Sequence, residues 1–288
     1  TYRQIEWIVV DDASGPDYAA IFAAALEASP FPTRLITLEQ NSRQAAARNR
    51  GVREAGGAYI KLLDSDDALD PDHIASLLAA SEPGIIPFAP TRHIHVGSGK
   101  SQDNLTFTTV IETREAQLVR LLDAPFLHHS GALFPRDLLL ELGPYDESLS
   151  TDEDGDLLLR TVMGGHLFRA VPEVRFLYRH HDTRRRVSAD DELTKLEARA
   201  EVARKVARHF SEAIPPEVAG AIARRMDSVA VKALQHHPDF ARNLLVEAEA
   251  IVPGKRSGGN VERTLRSALG IPASQAIMRQ LRRIRGAS

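Results

Sequence analysis

The chain is expected to adopt an α/β fold: a Rossmann-like, mostly parallel sheet flanked by helices, followed by an α-helical C-terminal extension. Three observations predict it. Short β-branched and aromatic runs alternate with helix-like stretches through the first part of the chain. Two of those runs end abruptly in acidic turns. From Asp190 onward the apolar residues recur at helical spacing instead.

Ile5-Glu6-Trp7-Ile8-Val9-Val10 reads as a buried strand, because it is apolar and β-branched and stops at the turn-forming Asp11-Asp12-Ala13-Ser14-Gly15. Residues 17–28 follow as a helix, and Arg34 to Leu38 as a second strand. Arg43 to Ala55 reads as a helix stopped by Gly56-Gly57, and residues 58–63 as a third strand. Strands joined through helices at this spacing pair in parallel through right-handed crossovers. Such sheets bind ligands beyond the carboxyl ends of their strands, which places Asp11-Asp12 and Asp64 to Asp67 on one edge. Ile85 to Phe88 is a short strand candidate, and residues 96–104 are expected to be an exposed loop. Within that loop Gly97-Ser98-Gly99-Lys100-Ser101 lacks the spacing and the preceding strand of a phosphate-binding loop. Val174 to Tyr178 is a further strand candidate, delivering Arg179-His180-His181.

In the helical extension, Leu193, Leu196, Ala200, Ala203, Val206 and Phe210 share one face, and Val218, Ile222, Met226 and Val229 repeat the arrangement. Residues 239–252 give a third helix, and a last one sets Ile277, Leu281 and Ile284 beside Arg279, Arg282, Arg283 and Arg285. That last helix, over 273–285, is a candidate peripheral membrane contact, with ordinary packing as the alternative.

Bulk properties narrow the function classes. With 288 residues, 43% of them hydrophobic, the chain can bury a sizeable core as one large or two modest domains. Zero cysteines exclude a disulfide framework and thiolate metal sites. No apolar run reaches bilayer-spanning length. The net charge of −3 hides an asymmetry: residues 1–189 hold 19 Lys and Arg against 27 Asp and Glu, whereas 190–288 hold 17 against 12. The domain boundary is therefore expected near residue 189. A basic excess so mild reads as a solvated helical face, and no nucleic-acid partner is expected.

Two segments carry chemistry. Tyr59-Ile60-Lys61-Leu62-Leu63 runs into Asp64-Ser65-Asp66-Asp67, three carboxylates within four positions. Such crowding raises carboxyl pKa values unless a cation compensates, and oxygen donors without thiolates suit Mg or Mn. A solvated acidic turn with Asp72 capping the next helix remains the other reading. The second segment is Thr151-Asp152-Glu153-Asp154-Gly155-Asp156 ahead of Leu157-Leu158-Leu159-Arg160. Acids in a first helical turn complement the helix dipole, but four in five positions exceed that need and suggest a general base. Both readings stay open on local grounds. The histidine pairs His128-His129 and His236-His237 show no metal-ligand spacing.

Taken together these segments resemble the family 2 glycosyltransferases of the GT-A fold. Three blocks occur in the family's order: Ile5 to Ser14; Asn41 through Ala45-Ala46-Ala47-Arg48-Asn49-Arg50-Gly51 to Asp64-Ser65-Asp66-Asp67; and Glu153 to Arg160 leading to Tyr178-Arg179-His180-His181. Leu142 to Leu149 is similar to the segment before the family's catalytic helix. The resemblance covers residues 1–189 and makes that span the transferase domain, with 190–288 a helical region outside it. It implies an inverting, metal-dependent transfer of a sugar, a hexose or a related unit, from a nucleotide-sugar donor, with UDP the expected carrier. The acceptor is expected to be a hydroxyl of a glycan or lipid-linked molecule, in bacterial cell-envelope polysaccharide synthesis. By the resemblance Asp12 binds the nucleotide base, Asp64 lies at the ribose and the metal, and Asp66 holds the divalent ion, Mg or Mn. Asp154 is the general base, Arg48 and Arg179 contact the diphosphate, and His181 neighbours the metal or phosphate. The implied location is cytoplasmic, peripheral at the inner face of the membrane.

The family opens with a strand–helix unit, about thirty residues, that is not seen ahead of Thr1. Weak nucleotide binding by this chain alone is therefore expected. Gly155 replaces a bulky residue beside the expected base. Two rival readings remain, a sugar nucleotidyltransferase and a truncated, non-catalytic domain that serves as a binding module.

Overall fold

The structure, a computed structural model, describes residues 1–104, 107–124, 128–180, 192–210 and 213–253. Ten strands and nine α-helices occur among the described residues, falling into two compact units.

The first unit opens with β1 (Trp7–Asp11), α1 (Pro16–Glu27), β2 (Thr33–Thr37) and α2 (Arg43–Glu54). Strand β1 pairs in parallel with β2, Trp7 opposite Thr33 and Asp11 opposite Thr37, as the intervening helix requires. Pro16 starts α1 at a position where a missing N–H costs nothing. At the far end of α2, the Glu6 carboxylate accepts hydrogen bonds from the Gly56 and Gly57 amides at 2.7 and 2.8 Å.

Next come β3 (Tyr59–Ile60), β4 (Ala68–Leu69), α3 (His73–Ala79), β5 (Ile85–Phe88), β6 (Thr91–His95) and β7 (Ser101–Asn104). After α4 (Arg114–Asp123), the chain makes a 3-10 turn over His129–Gly131, then β8 (Phe134–Pro135), α5 (Arg136–Leu142), α6 (Glu153–Met163), β9 (Leu167–Ala170) and β10 (Phe176–His180). The longer pairings, β5 with β9 and β6 with β10, are parallel like β1 with β2. Antiparallel partners are β3 with β8, β4 with β10 and β6 with β7.

Three elements differ from the sequence expectation. The strand expected over 58–63 pairs only at Tyr59 and Ile60, because Lys61 then turns its ammonium to the carbonyls of Ser130 and Ala132. The strand expected over 174–178 runs instead over Phe176–His180, so Arg179 and His180 lie within it. Residues 101–104, expected in a loop, return as β7 against β6 through a turn in which Gly99 adopts φ 67°. That strand is polar and largely exposed, so no apolar alternation announced it.

The core of this unit is aromatic. Phe88 packs edge-on against Phe107 and Phe168, with ring centroids 4.9 and 5.8 Å away, and Phe134 meets Phe168 similarly. Leu77, Ala89, Leu133, Val171 and Val174 form a second buried group under α3.

The second unit contains α4 and three long helices, α7 (Glu192–His209), α8 (Pro216–Ala233) and α9 (Pro238–Ile251). Helix α8 is central, packing on α4, α7 and α9. Its buried face is Val218, Ile222, Met226 and Val229, and α7 buries Leu196, Ala200, Ala203 and Val206. Arg224 pairs with Asp123 of α4, and Arg204 of α7 with Glu247 of α9. No helix among the described residues is long and apolar enough to cross a membrane. The helix expected over 273–285 lies outside the described residues.

Candidate active site

Helix α2 organises the site. Its buried face is Ala45, Asn49 and Val52, and the adjoining face carries Gln44 and Arg48, four residues apart and hence one turn above one another. At its start the Asp12 carboxylate, just beyond β1, accepts the Ser42 amide at 2.7 Å and so satisfies one orphan donor of the helix terminus. Asn41 donates to the Asp12 carbonyl at 3.2 Å. Ala13 and Arg43, on the two sides of this junction, have φ of 60° and 71°, a strained left-handed conformation for residues with side chains.

One turn along, Arg48 spans two carboxylates. Its Nη2 donates to both oxygens of Asp64 at 2.8 and 2.9 Å, and its Nη1 donates to Glu153 at 2.9 Å. Gln44 also donates to the Glu153 carboxylate. Burial works against the Arg48 charge, and the anionic groups around it, Asp64 and Asp154 included, hold it charged. Its guanidinium also lies 5.4 Å from the centre of the Tyr145 ring. Asn49 pins that tyrosine from below, donating to its carbonyl at 3.0 Å and accepting its amide at 2.9 Å. Arg160 of α6 fixes the preceding loop through the carbonyls of Leu142 and Pro144, both at 2.8 Å, while bonding Asp156 at 2.7 Å.

The other wall is the 3-10 turn. His128 stacks on Phe176 with centroids 4.7 Å apart, and its Nδ1 accepts the Ser130 amide at 3.2 Å. The proton of a neutral ring therefore sits on Nε2, which faces Asp64 Oδ2 at 3.4 Å. His129 is fully buried, with Nδ1 3.4 Å from Asp154 Oδ2 and Nε2 4.0 Å from Asp64 Oδ1. Lys61 holds the turn in place, its amine 3.0 Å from the Ala132 carbonyl and also on that of Ser130. Burial pushes its pKa well down.

The electrostatics follow from crowding. Burial would raise the Asp64 pKa, but its interactions with His128, with the His129 ring and with the Arg48 charge take it well below the ordinary carboxylate range. Asp154 is lowered as well: burial opposes, and the approach of the His129 ring with the surrounding positive groups prevails, although Nδ1 is not aligned for a hydrogen bond. Glu153 moves the other way, raised by burial and by the Asp154 charge. His129 is lowered to about 4, chiefly by burial. Asp67 is raised to about 6, mainly by burial, with the charges of Asp66 and Asp64 adding.

The sequence candidates are thus distributed as follows. Asp64, Arg48 and Asp154 meet in one cluster, whereas Asp12 binds the start of α2, six residues before Arg48. Asp66 is exposed two residues beyond Asp64. Arg179 gives its amide to Asp67 at 2.9 Å and leaves its side chain exposed. His181 lies outside the described residues. His128 and His129, set aside for want of ligand spacing, need correcting: with Asp64 they present nitrogen and oxygen atoms all within 4.8 Å of one another, a candidate metal cluster. Spacing along the chain could not reveal this, because the third member comes from a distant loop. Glu153, Tyr145 and Asn49 were also missed, the last because a polar side chain on an apolar helix face has no periodic signature.

A cation fits the acidic end of the site. Asp67 Oδ2 is buried without a hydrogen-bond partner, and Asp64, Asp66 and Asp67 repel one another, so the negative charge there is incompletely compensated. The histidine side is less open to a metal, since Arg48 already occupies both oxygens of Asp64 and the proton of His128 points at it.

The family model described as Glycosyl transferase family 2 matches residues 1–143. An uncharacterised glycosyltransferase, YwdF of Bacillus subtilis (strain 168), is 28% identical over 66% of this chain and 69% of its own. The succinoglycan biosynthesis protein ExoO of Rhizobium meliloti (strain 1021) is 29% identical over 60% of this chain, which spans only 52% of that relative. In structure, residues 1–349 of S. aureus TarS in complex with UDP-GlcNAc superpose with a TM-score of 0.66 at 16% identity, covering 99% of this chain and 82% of that one. The architecture is therefore the α/β GT-A fold, and the chain belongs to glycosyl transferase family 2.

Proposed function

We propose that this glycosyltransferase is an inverting, metal-dependent enzyme that moves a sugar from a UDP-sugar to a hydroxyl of a glycan or lipid-linked acceptor. The observation that carries the reading is the meeting of Asp64 and Asp154 around His129 and Arg48, although ninety residues of chain separate them. Asp12 and Asp64 are assigned to the nucleoside, Arg48 and Arg179 to the diphosphate, and Asp154 to the acceptor. Asp66 and Asp64, with His181 beyond the described residues, would hold Mg or Mn, which offsets charge on the departing diphosphate.

Asp154 takes the proton of the acceptor hydroxyl as its oxygen attacks the anomeric carbon. The new carbon–oxygen bond forms as the bond to the diphosphate breaks, and one displacement inverts the configuration. Asp154 retains 18% of its side-chain surface, enough for an acceptor to reach, and its lowered pKa keeps it ionised at neutral pH. The UDP-GlcNAc bound to TarS supports UDP as carrier, and ExoO's part in succinoglycan synthesis supports a polysaccharide acceptor. The transferase chemistry is assigned to residues 1–189, and 190–288 to a helical region placed with it in the cytoplasm, at the inner face of the membrane.

Calorimetric titration with UDP, GDP and TDP in the presence of Mn tests the donor. UDP is expected to bind, and failure of all three rejects the reading. Asp154→Asn is expected to lower turnover of UDP-GlcNAc at least a hundredfold while UDP affinity stays within twofold. Loss of UDP binding instead would demote Asp154 to a structural cap. Proton NMR of the sugar released from UDP-GlcNAc checks the stereochemistry: the β anomer is expected first, and the α anomer would exclude inversion.

A further inference from the structure

His129 lies between the two carboxylates that the proposed function assigns to opposite ends of the reaction. Its ring is fully buried, and nothing in the family resemblance gives it a part. It is packed on more than one side. Tyr145 packs edge-on against it with centroids 5.6 Å apart and planes at 82°, and the centroid of the His128 ring is 4.5 Å from its own. Two residues on, Gly131 has no room for a side chain, since a Cβ there would lie 2.4 Å from the Phe88 ring and 2.9 Å from the Ala89 carbonyl. Lys61 clamps the carbonyls on both sides of that glycine.

A neutral imidazole has one N–H to give, and the two carboxylates compete for it. Asp64 already accepts from Arg48 through both oxygens and faces the N–H of His128. Asp154 has no other side-chain partner of this kind among the described residues, and it is the nearer of the two, at 3.4 against 4.0 Å. The proton is better used on Asp154: both ring nitrogens of His129 are buried without a well-aligned partner, so a small turn of the Asp154 carboxylate toward Nδ1 satisfies donor and acceptor together.

We propose that His129 is a positioning residue for the proposed base: its Nδ1–H holds the Asp154 carboxylate so that the other oxygen faces an acceptor hydroxyl. The inference rests on Asp154 being that base. Its Nε2, turned toward Asp64, makes one ring the spacer between the donor-binding and acceptor-activating carboxylates. A carboxylate held at one oxygen loses its rotational freedom about the last side-chain bond, which a base must otherwise give up on the way to the transition state. The logic is that of a second residue orienting a general base, with the histidine and the acid exchanging their more familiar roles.

The tautomer of His129 is measurable on the whole chain without any substrate. Long-range proton–nitrogen NMR correlations of the protein labelled with nitrogen-15 histidine are assigned by the signal lost in His129→Asn. The Nδ1–H form is expected to dominate at neutral pH, and a dominant Nε2–H form overturns the inference. Kinetics with UDP-GlcNAc and Mn as the probe give the second arm. His129→Leu is expected to lower kcat at least tenfold with KM for UDP-GlcNAc unchanged. His129→Asn, whose side-chain amide can donate from nearly the same place, is expected to recover most of that loss. Wild-type kcat in His129→Leu overturns the proposal, and so does a loss in both variants that appears only as raised KM. If the unaltered protein does not turn over UDP-GlcNAc, the donor assignment fails and the tautomer alone decides the part played by His129.

Discussion

Arg48 illustrates how much of the site depends on single side chains. It is only 12% exposed, and Glu153 beside it is 2% exposed, so neither charge has water to fall back on. Removing one partner of a buried pair typically costs about 3–5 kcal/mol, more than the pair contributes over an apolar substitute, because the remaining charge is stranded. Arg48→Met strands two carboxylates, Asp64 and Glu153, and is expected to destabilise by about that amount in urea unfolding. A loss below about 1 kcal/mol would mean that water replaces the guanidinium. The strand ends pointed only Asp11-Asp12 and Asp64 to Asp67 to a common edge; Arg48 and Asp154, both on helices, entered the candidate site through the family resemblance. His129 was missed: adjacent histidines have no period, and their value comes from a carboxylate 65 positions earlier and another 25 positions later.

At the scale of elements, the 3-10 turn over His129–Gly131 is the part least free to vary. Its dihedrals are set by packing, with Phe88 and the Ala89 backbone against Gly131 on one side and Lys61 on the other. Gly131→Ala must push the Phe88 ring or the turn aside, an overpacking cost of about 1–3 kcal/mol. Turnover of UDP-GlcNAc is expected to fall along with thermal stability, because any shift of the turn moves His129 off Asp154. Full activity with lowered stability would show that the strain is absorbed by Phe88 instead. Most elements were legible: the helices at 16–27 and 43–54 lie within a residue of their expected bounds, and 216–233 contains the expected face Val218, Ile222, Met226 and Val229 but runs four residues beyond it. The failures have separate local causes. Strand β3 is short because a buried lysine chooses carbonyls over a ladder, and β7 is hidden because a polar hairpin strand carries no alternation.

For the whole molecule, the α/β class and the helical extension were readable because both depend on periodicity, whereas the pairing of α4 with the later helices depends on a contact across a hundred residues. Global stability should also carry a signature of one buried histidine. His73, at the start of α3, is 1% exposed and donates from Nδ1 to the Arg175 carbonyl at 2.9 Å, while Nε2 has no partner. Burial, aided by the charge of Lys61, lowers its pKa from 6.5 to about 3. The unfolded chain thus takes up this proton first as the pH falls, so the contribution is intact above 6.5 and is lost progressively down to 3. The shift corresponds to roughly 3 kcal/mol less stability at pH 4 than at pH 7 from this group. In His73→Phe that share of the acid loss is expected to vanish in urea titrations at the two pH values. An unchanged pH slope would place a proton on the native ring.

Helix α2 and its cap carry Ser42, Gln44, Arg48 and Asn49 on one rigid rod, and the seven steps from Ser42 to Asn49 at the helical rise make its working length about 10 Å. That length is quantised by covalent geometry. On the proposed assignment, adaptation to a longer or bulkier donor therefore cannot come from stretching this rod; it has to come from rebuilding the loops packed against it, around Ala13 and around Tyr145. A library that randomises those loops while leaving the rod intact is the natural place to seek altered sugar preference.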